Sequence, residues 1–141
     1  MYDEVSFERF CLYLRAAWSK ETSADQKNWT PANPAWGQCA VSALAFQHFF
    51  GGEILRLPVP QDFNKKIAGL GSHYFNRIGN LTIDVSAEQF SKRDYEHLIA
   101  KIWLALVRTR KELLRNPDTK KRFDLLLAEM TKIACGEVVK N

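Results

Sequence analysis

A cysteine, a histidine and an aspartate in this sequence are residue types that together carry out nucleophilic acyl chemistry. Cys39 follows the loop sequence NPAWGQ and opens an apolar run that ends at Phe50. If a helix begins at this cysteine, the positive end of the helix dipole and the free N–H groups favour the thiolate, which is the nucleophilic form. The alternative for an isolated cysteine is a small residue buried in the core.

A thiolate enzyme also needs an imidazole that accepts and returns a proton, and the chain has three histidines. His48 lies inside the apolar run, more than two helical turns from Cys39, and is expected to be structural. His97 lies on the polar side of a predicted helix and is expected to be solvated. His73 lies in a predicted strand and is therefore the candidate base. Its alternative role is that of an ordinary hydrogen-bonded strand residue.

The β-rich runs SHYFNRI and LTIDV are separated by the dipeptide GN, a spacing that predicts a β-hairpin. With GN as the loop, Ile78 faces Leu81. His73 and Asp84 are then diagonal neighbours on one side of the sheet, on the order of 7–8 Å apart, so the carboxylate could orient the imidazole. The alternative for Asp84 is a turn or a cap of the next helix. The opposite side is mostly apolar, and its polar exception, Asn76, is a candidate for a substrate cleft.

Acyl transfer also requires hydrogen-bond donors for the oxyanion, commonly a backbone N–H and a side-chain amide. The backbone N–H of Cys39 is one candidate, and the side chains of Gln38 and Asn33 are candidates for the amide. Trp29 and Trp36 could line a substrate cleft beside the cysteine. They could equally attach the long loop before Cys39 to the body of the protein.

Hydrophobic spacing predicts an α+β fold, in which a central helix that carries Cys39 packs on a small antiparallel sheet. The run from Cys39 to Phe50 is apolar nearly all round, which is typical of a helix at the centre of a domain. The predicted helices are Phe7–Trp18, Cys39–Phe50, one that runs from Tyr95 almost to Arg115, and about Lys120–Ala134, and the predicted strands are EILRL and the two arms of the hairpin.

Composition limits the class of protein. The 141 residues are 46% hydrophobic and 26% charged, which fits a single globular domain over residues 1–141. The net charge of +4 is not concentrated in a basic run interleaved with aromatic residues, so no nucleic-acid partner is expected. No stretch approaches the roughly 18 consecutive apolar residues of a membrane span, so no membrane partner is expected.

The three cysteines form no CxxC pair, which argues against a disulfide framework or a structural zinc site. Free thiols are typical of a reducing compartment, so a cytoplasmic location is expected. No cofactor and no metal are expected. Metal binding through Cys39, His73 and Asp84 is an alternative by ligand type, although no close ligand spacing supports it.

The order of a cysteine on a central helix, then a histidine and an aspartate on adjacent strands, resembles that of papain-like and transglutaminase-like thiol enzymes. This resemblance implies that the Cys39 thiolate attacks an acyl carbon to give a thioester, which water or an amine resolves. It also implies that His73 acts as base and then as acid, and that Asp84 orients His73. Asn33, six residues before the cysteine, departs from the papain pattern, which has a glutamine there.

The chain resembles the YunG-like family of small bacterial proteins more closely. The shared patterns are NPxxGQC, GGEI, HYxNR and DxxxEQF, in that order, within a stretch from Trp29 to Leu127. Two departures are Phe75, where a tryptophan is expected, and a longer segment between Phe90 and Arg108. The family brings no assigned substrate, so the resemblance supports the grouping of the cysteine, histidine and aspartate without naming what they act on.

The sequence therefore predicts a cysteine hydrolase or acyltransferase that acts on an amide, ester or thioester of an unidentified small molecule or peptide. The competing hypothesis is a non-catalytic interaction or immunity-type protein that keeps the same scaffold and presents the helices after Phe90 to a partner. A cleft that reaches Cys39 would favour the enzyme, and a sealed Cys39 would favour the binding protein. Unpaired apolar stripes on the last two helices would favour a homodimer.

Overall fold

The computed structural model of the protein describes residues 2–140, with side chains described for residues 2–136. It is an α+β fold with a small antiparallel sheet, as predicted. The helices are α1 (Glu4–Ala17), α2 (Cys39–Phe50), α3 (Lys65–Ala68), α4 (Lys92–Ile99), α5 (Arg110–Leu114) and α6 (Pro117–Lys140), and the strands are β1 (Glu53–Pro58), β2 (Ser72–Ile78), β3 (Leu81–Ile83) and β4 (Leu106–Arg108).

The sheet has the strand order β3-β2-β1-β4, and each neighbouring pair is antiparallel. β2 and β3 form the predicted hairpin, and Ile78 pairs with Leu81 as expected. Because side chains alternate along a strand, this register places the side chains of His73 and Asp84 on the same face. The facing argument made from the sequence is therefore confirmed.

Helix α2 begins and ends at the predicted residues, Cys39 and Phe50. Its end is fixed by Gly51, whose φ of +76° is a backbone conformation that favours glycine. The helix packs on one face of the sheet, where the Asn76 side chain donates a hydrogen bond to the carbonyl oxygen of Ala43. Helices α1 and α6 cover its other sides.

Both faces of the sheet are covered by apolar side chains. The first face, with α1, α2 and α6, holds the larger core cluster, which includes Phe10, Leu14, Leu44, Phe46, Ile54 and Leu126. The second face holds a smaller cluster of Trp36, Leu55, Leu57, Val59, Ile67, Phe75, Phe90 and Leu98. The prediction that the face bearing His73 would be the less apolar one missed this second cluster.

The long helix predicted from Tyr95 almost to Arg115 is wrong. The chain instead forms α4, a 3-10 turn at Ile102–Leu104, strand β4 and the short helix α5. Strand β4 pairs with the free edge of β1, and this pairing satisfies the backbone groups that the two strands present to each other. Tertiary pairing therefore outweighs the helical spacing of the apolar residues.

The last helix is longer at both ends than predicted. Pro117 is its first residue, a position where the missing N–H costs nothing, and the Asn116 side chain accepts hydrogen bonds from the N–H groups of Asp118 and Thr119. Gly136 lies within the helix instead of ending it, which costs about 1 kcal/mol relative to alanine.

The apolar stripe of α6 packs on α1 and α2, which removes one of the two unpaired stripes invoked for a homodimer; the homodimer itself remains a prediction. Among the residues described, no helix combines the length and the apolar character needed to cross a membrane.

Candidate functional site

Cys39 is the first residue of α2, so it lies at the positive end of that helix. The hydrogen bonds that hold the loop before it include those from the Gly37 N–H to Oε1 of Gln89 (3.1 Å) and from the Ser23 hydroxyl to the carbonyl oxygen of Trp36 (2.7 Å). The Cys39 residue is 7% exposed, and it forms part of the wall of a pocket of about 380 Å³. The cysteine is therefore largely buried but has a route to solvent.

His73 and Asp84 form a close pair on the second face of the sheet. Nε2 of His73 lies 2.6 Å from Oδ2 of Asp84, and the two side chains are 1% and 7% exposed. The Tyr95 hydroxyl on α4 donates a hydrogen bond of 2.9 Å to the same carboxylate oxygen. The rings of Phe90 and Tyr95 meet the imidazole edge-on, so the pair is packed as well as hydrogen-bonded.

Cys39 lies beside the open edge of β2, the strand that carries His73. Strand β3 pairs only with Asn76–Ile78, so within the described chain the first residues of β2 have no strand partner on that side. Sγ of Cys39 lies there, 3.8 Å from the carbonyl oxygen of Ser72. The side chain of Cys39 is also one of the groups that raise the pKa of His73, after Asp84. Asp84 occupies Nε2, and the other ring nitrogen, Nδ1, is a buried atom with no hydrogen-bond partner among the described residues, Cys39 included.

The electrostatic surroundings favour the charged form of His73. Burial alone would lower the pKa of His73, but the charge and hydrogen bond of Asp84, with a contribution from Cys39, outweigh burial and raise it to about 10. At neutral pH the imidazole is therefore expected to be positively charged, and a positive charge next to a sulfur atom stabilises its thiolate.

The side-chain amides of both oxyanion candidates donate hydrogen bonds to backbone carbonyl groups. Nε2 of Gln38 donates to the carbonyl oxygen of Ser19 (2.8 Å), and Nδ2 of Asn33 donates to the carbonyl oxygen of Gln89 (3.0 Å). Each amide therefore holds the loop with one N–H and retains a second. The backbone N–H of Cys39 is in the first turn of α2, where N–H groups have no partner within the helix.

The residues proposed for a substrate cleft lie elsewhere. Trp36 is buried in the core cluster of the second face and donates its indole N–H to Asp25, and Trp29 donates its indole N–H to the carbonyl oxygen of Pro34. Asn76 is fully buried against α2. None of Trp29, Trp36 and Asn76 lines the pocket next to Cys39. The two tryptophans instead attach the loop to the body of the protein, which was the alternative for them.

Several residues of the site were missed in the sequence. Tyr95 was assigned only to an apolar stripe, although a tyrosine on such a stripe carries a hydroxyl that needs a partner. Arg56 and Tyr74 line the pocket beside Cys39, and nothing in their local sequence indicates this. Among the described residues, no group of three or more histidine, cysteine, aspartate or glutamate residues is arranged to hold a metal ion.

Comparison with known proteins gives a family but no described activity. The family model of the YunG protein matches residues 6–134. The "Uncharacterized protein YunG" of Bacillus subtilis (strain 168) is 33% identical over 86 residues, which cover 60% of this chain and 64% of that relative, just under two thirds of its length. No solved structure matches the chain.

Proposed function

The chain belongs to the YunG protein family, and we propose that this member is a cysteine hydrolase or acyltransferase that acts on an amide, ester or thioester bond. One observation carries the proposal. His73 is held by Asp84 through Nε2, its Nδ1 has no hydrogen-bond partner among the described residues, and Cys39, at the start of α2, is one of the groups that raise the pKa of His73. A nucleophile, a base and a group that orients the base are the parts that covalent acyl transfer requires.

The proposed reaction has two steps. In the first, Sγ of Cys39 forms a bond to the acyl carbon, the bond to the leaving group breaks, and His73 gives its proton to the leaving group. In the second, His73 takes a proton from water or an amine, whose oxygen or nitrogen attacks the thioester carbon, and the bond from carbon to Sγ breaks. Asp84 keeps the imidazole oriented and stabilises its positive charge throughout.

The proposal includes a papain-like or transglutaminase-like arrangement of the site. Its support is the position of the cysteine at the N-terminus of a central apolar helix, with the histidine and aspartate on and just after neighbouring antiparallel strands. The oxyanion of the tetrahedral intermediate would be stabilised by the free N–H of Cys39, while Gln38, which is fully buried and does not line the pocket, holds the loop.

The second candidate function is a non-catalytic binding protein on the same scaffold. The observation in its favour is the low exposure of the Cys39 and His73 residues, which are 7% and 1% exposed. The pocket that reaches Cys39 favours the enzyme. An acylation experiment separates the enzyme from the binding protein, because a binding protein forms no acyl-enzyme.

The test is to incubate the protein with a panel of p-nitrophenyl esters and acyl thioesters and to locate the acyl group by mass spectrometry. We expect a thioester on Cys39, its loss in Cys39→Ser, and a large decrease in its rate of formation in His73→Ala. Cys135→Ser is the matched control, because Cys135 is exposed on α6, and it should leave acylation unchanged. Acyl groups found on Cys135 but not on Cys39 would contradict the proposal.

A further inference from the structure

The pocket beside Cys39 lies on the first face of the sheet, opposite the face that holds the imidazole and carboxylate pair. Its walls come from the start of α2, strands β1, β2 and β4, and the first turns of α5 and α6. Several residues that line the pocket with Cys39 carry a positive charge or a hydroxyl group. They include Arg56, Ser72, Tyr74, Arg108 and Arg122. A substrate whose acyl carbon reaches Sγ would place its remaining atoms in this pocket.

The charged residues of the pocket are predominantly basic. Three arginines line it, against one carboxylate, that of Glu112. Arg122 already has partners, because its guanidinium donates to the Asp118 carboxylate and to the carbonyl oxygen of Thr22. The charge of Arg122 is therefore already balanced within the protein, and Arg122 is part of the pocket wall.

Arg56 and Arg108 are not neutralised in the same way. Nε of Arg56 donates to the Ser72 hydroxyl (2.7 Å), and within the described chain no carboxylate lies within ion-pair distance of its guanidinium. Arg108 has one loose contact, 3.6 Å, with Glu112, whose side chain is 41% exposed. The pocket therefore holds positive charge that the described chain does not balance.

The sheet register brings these two arginines together. Arg56 pairs with Leu106 and Ile54 pairs with Arg108, so the two arginines are diagonal neighbours on one face, on the order of 7–8 Å apart along the backbone. The charges of Arg56, Arg108 and Cys39 also act on the Tyr74 hydroxyl. Burial raises the pKa of Tyr74 most, the charge of Cys39 also raises it, and the two arginines lower it. The thiol, the hydroxyl and both guanidinium groups thus surround one space.

We infer that Arg56 and Arg108 form an anion subsite that binds a carboxylate or phosphate group on the acyl substrate, within reach of Cys39. The inference rests on the proposed function and specifies its substrate class: an acyl compound with an anionic group close to the bond that is cleaved. Guanidinium groups suit this role, because their planar N–H donors match the oxygen atoms of carboxylates and phosphates.

The test compares two alkylating reagents that differ in charge. Iodoacetate and iodoacetamide both form a carbon–sulfur bond with the thiolate and release iodide, but only iodoacetate carries a carboxylate. The measured quantity is the ratio of the two alkylation rates at Cys39, read by mass spectrometry with Cys135 as an internal reference. Arg56→Gln and Arg108→Gln are each expected to lower the ratio of iodoacetate to iodoacetamide about tenfold, the usual effect of one hydrogen-bonded charge.

Two further variants control for fold and charge. Arg56→Lys keeps the positive charge, so it should lower the ratio of iodoacetate to iodoacetamide alkylation less than Arg56→Gln does. Arg77→Gln removes an arginine that pairs with Glu53 outside the pocket, and it should leave the ratio unchanged. Circular dichroism of each variant establishes that it is folded.

The outcomes separate the two proposals. If Cys39 reacts readily with both reagents but the ratio is the same in wild type, Arg56→Gln and Arg108→Gln, the anion subsite is wrong and the proposed function stands. If Cys39 reacts with neither reagent, both are wrong. Protection of Cys39 from iodoacetate by succinate or by inorganic phosphate, at constant ionic strength, identifies which anion the site takes. If neither succinate nor inorganic phosphate protects Cys39 more than chloride does at the same ionic strength, the inference is contradicted.

Discussion

The properties of the site depend on where the proton of His73 resides. The imidazole is buried, and among the described residues the titratable groups that act on its pKa are the Asp84 carboxylate and the Cys39 thiol. Tyr95 adds a hydrogen bond to the carboxylate oxygen that His73 contacts. Removal of one member of a buried, hydrogen-bonded charge pair leaves the other without compensation and usually costs several kcal/mol. Asp84 is therefore expected to contribute to stability as well as to catalysis.

Asp84→Asn should change the pH dependence of stability. Because folding raises the pKa of His73 from 6.5 to about 10, its contribution to the free energy of unfolding is complete below about pH 6.5 and is lost as the pH rises towards 10. The substitution should lower that free energy by about 2–5 kcal/mol at neutral pH and flatten its decline between these values. Urea unfolding in a Cys39→Ala background, in which Asp84 is the remaining side chain that raises the pKa of His73, measures both effects.

The matched control for this change is Asp124→Asn, which removes an exposed carboxylate paired with Lys120 on α6. It should lower stability by no more than about 1 kcal/mol and leave the slope with pH unaltered. An Asp84→Asn variant with the pH profile of the parent would show that Asp84 does not hold the proton on His73.

Among the elements, α2 and the loop before it place the thiol. The loop turns at Gly37, whose φ is +72°, and a Cβ atom there would collide with the Ser23 hydroxyl oxygen. Ser23 cannot move away without loss of its hydrogen bond to the carbonyl oxygen of Trp36. Close packing and a special backbone conformation thus coincide immediately before Cys39.

Gly37→Ala should therefore destabilise the protein more than an equivalent substitution in open space. Gly71→Ala is the matched control, because Gly71 has a similar φ of +77° and a Cβ atom there would meet nothing within 4 Å. Both variants incur the cost of a left-handed backbone, about 1–2 kcal/mol, and Gly37→Ala should add about 1–3 kcal/mol for the collision. Urea unfolding of both variants gives the difference, and equal midpoints would contradict it.

The elements that the sequence predicts well are those defined by local signals. Helix α2 has an apolar run bounded by a Pro/Gly loop and by two glycines, and the hairpin has a two-residue turn that fixes its register. Strand β4 could not be predicted in this way. Leu106 and Val107 fit the spacing of a helix, and only the free edge of β1, about 50 residues earlier in the chain, makes them a strand.

At the scale of the whole molecule, the candidate site spans both faces of the sheet. The imidazole and carboxylate lie on the second face, the pocket lies on the first, and Cys39 lies at the edge of β2 between them. The pairing of His73 with Asp84 could be predicted because both residues belong to one hairpin. The convergence of Arg56 and Arg108 could not be predicted from the sequence, because it depends on the pairing of β4 with β1.

The reactivity of the three cysteines across the molecule tests the central claim most directly. Cys135 is exposed, Cys11 is half-buried and burial raises the pKa of its thiol, and Cys39 is the most buried of the three. The measurement is the rate of iodoacetamide alkylation of each cysteine at about pH 6, where an ordinary thiol is almost fully protonated. We expect Cys39 to react fastest and His73→Ala to remove this advantage. Rates that follow exposure, with Cys135 fastest and Cys39 slowest in both proteins, would contradict it.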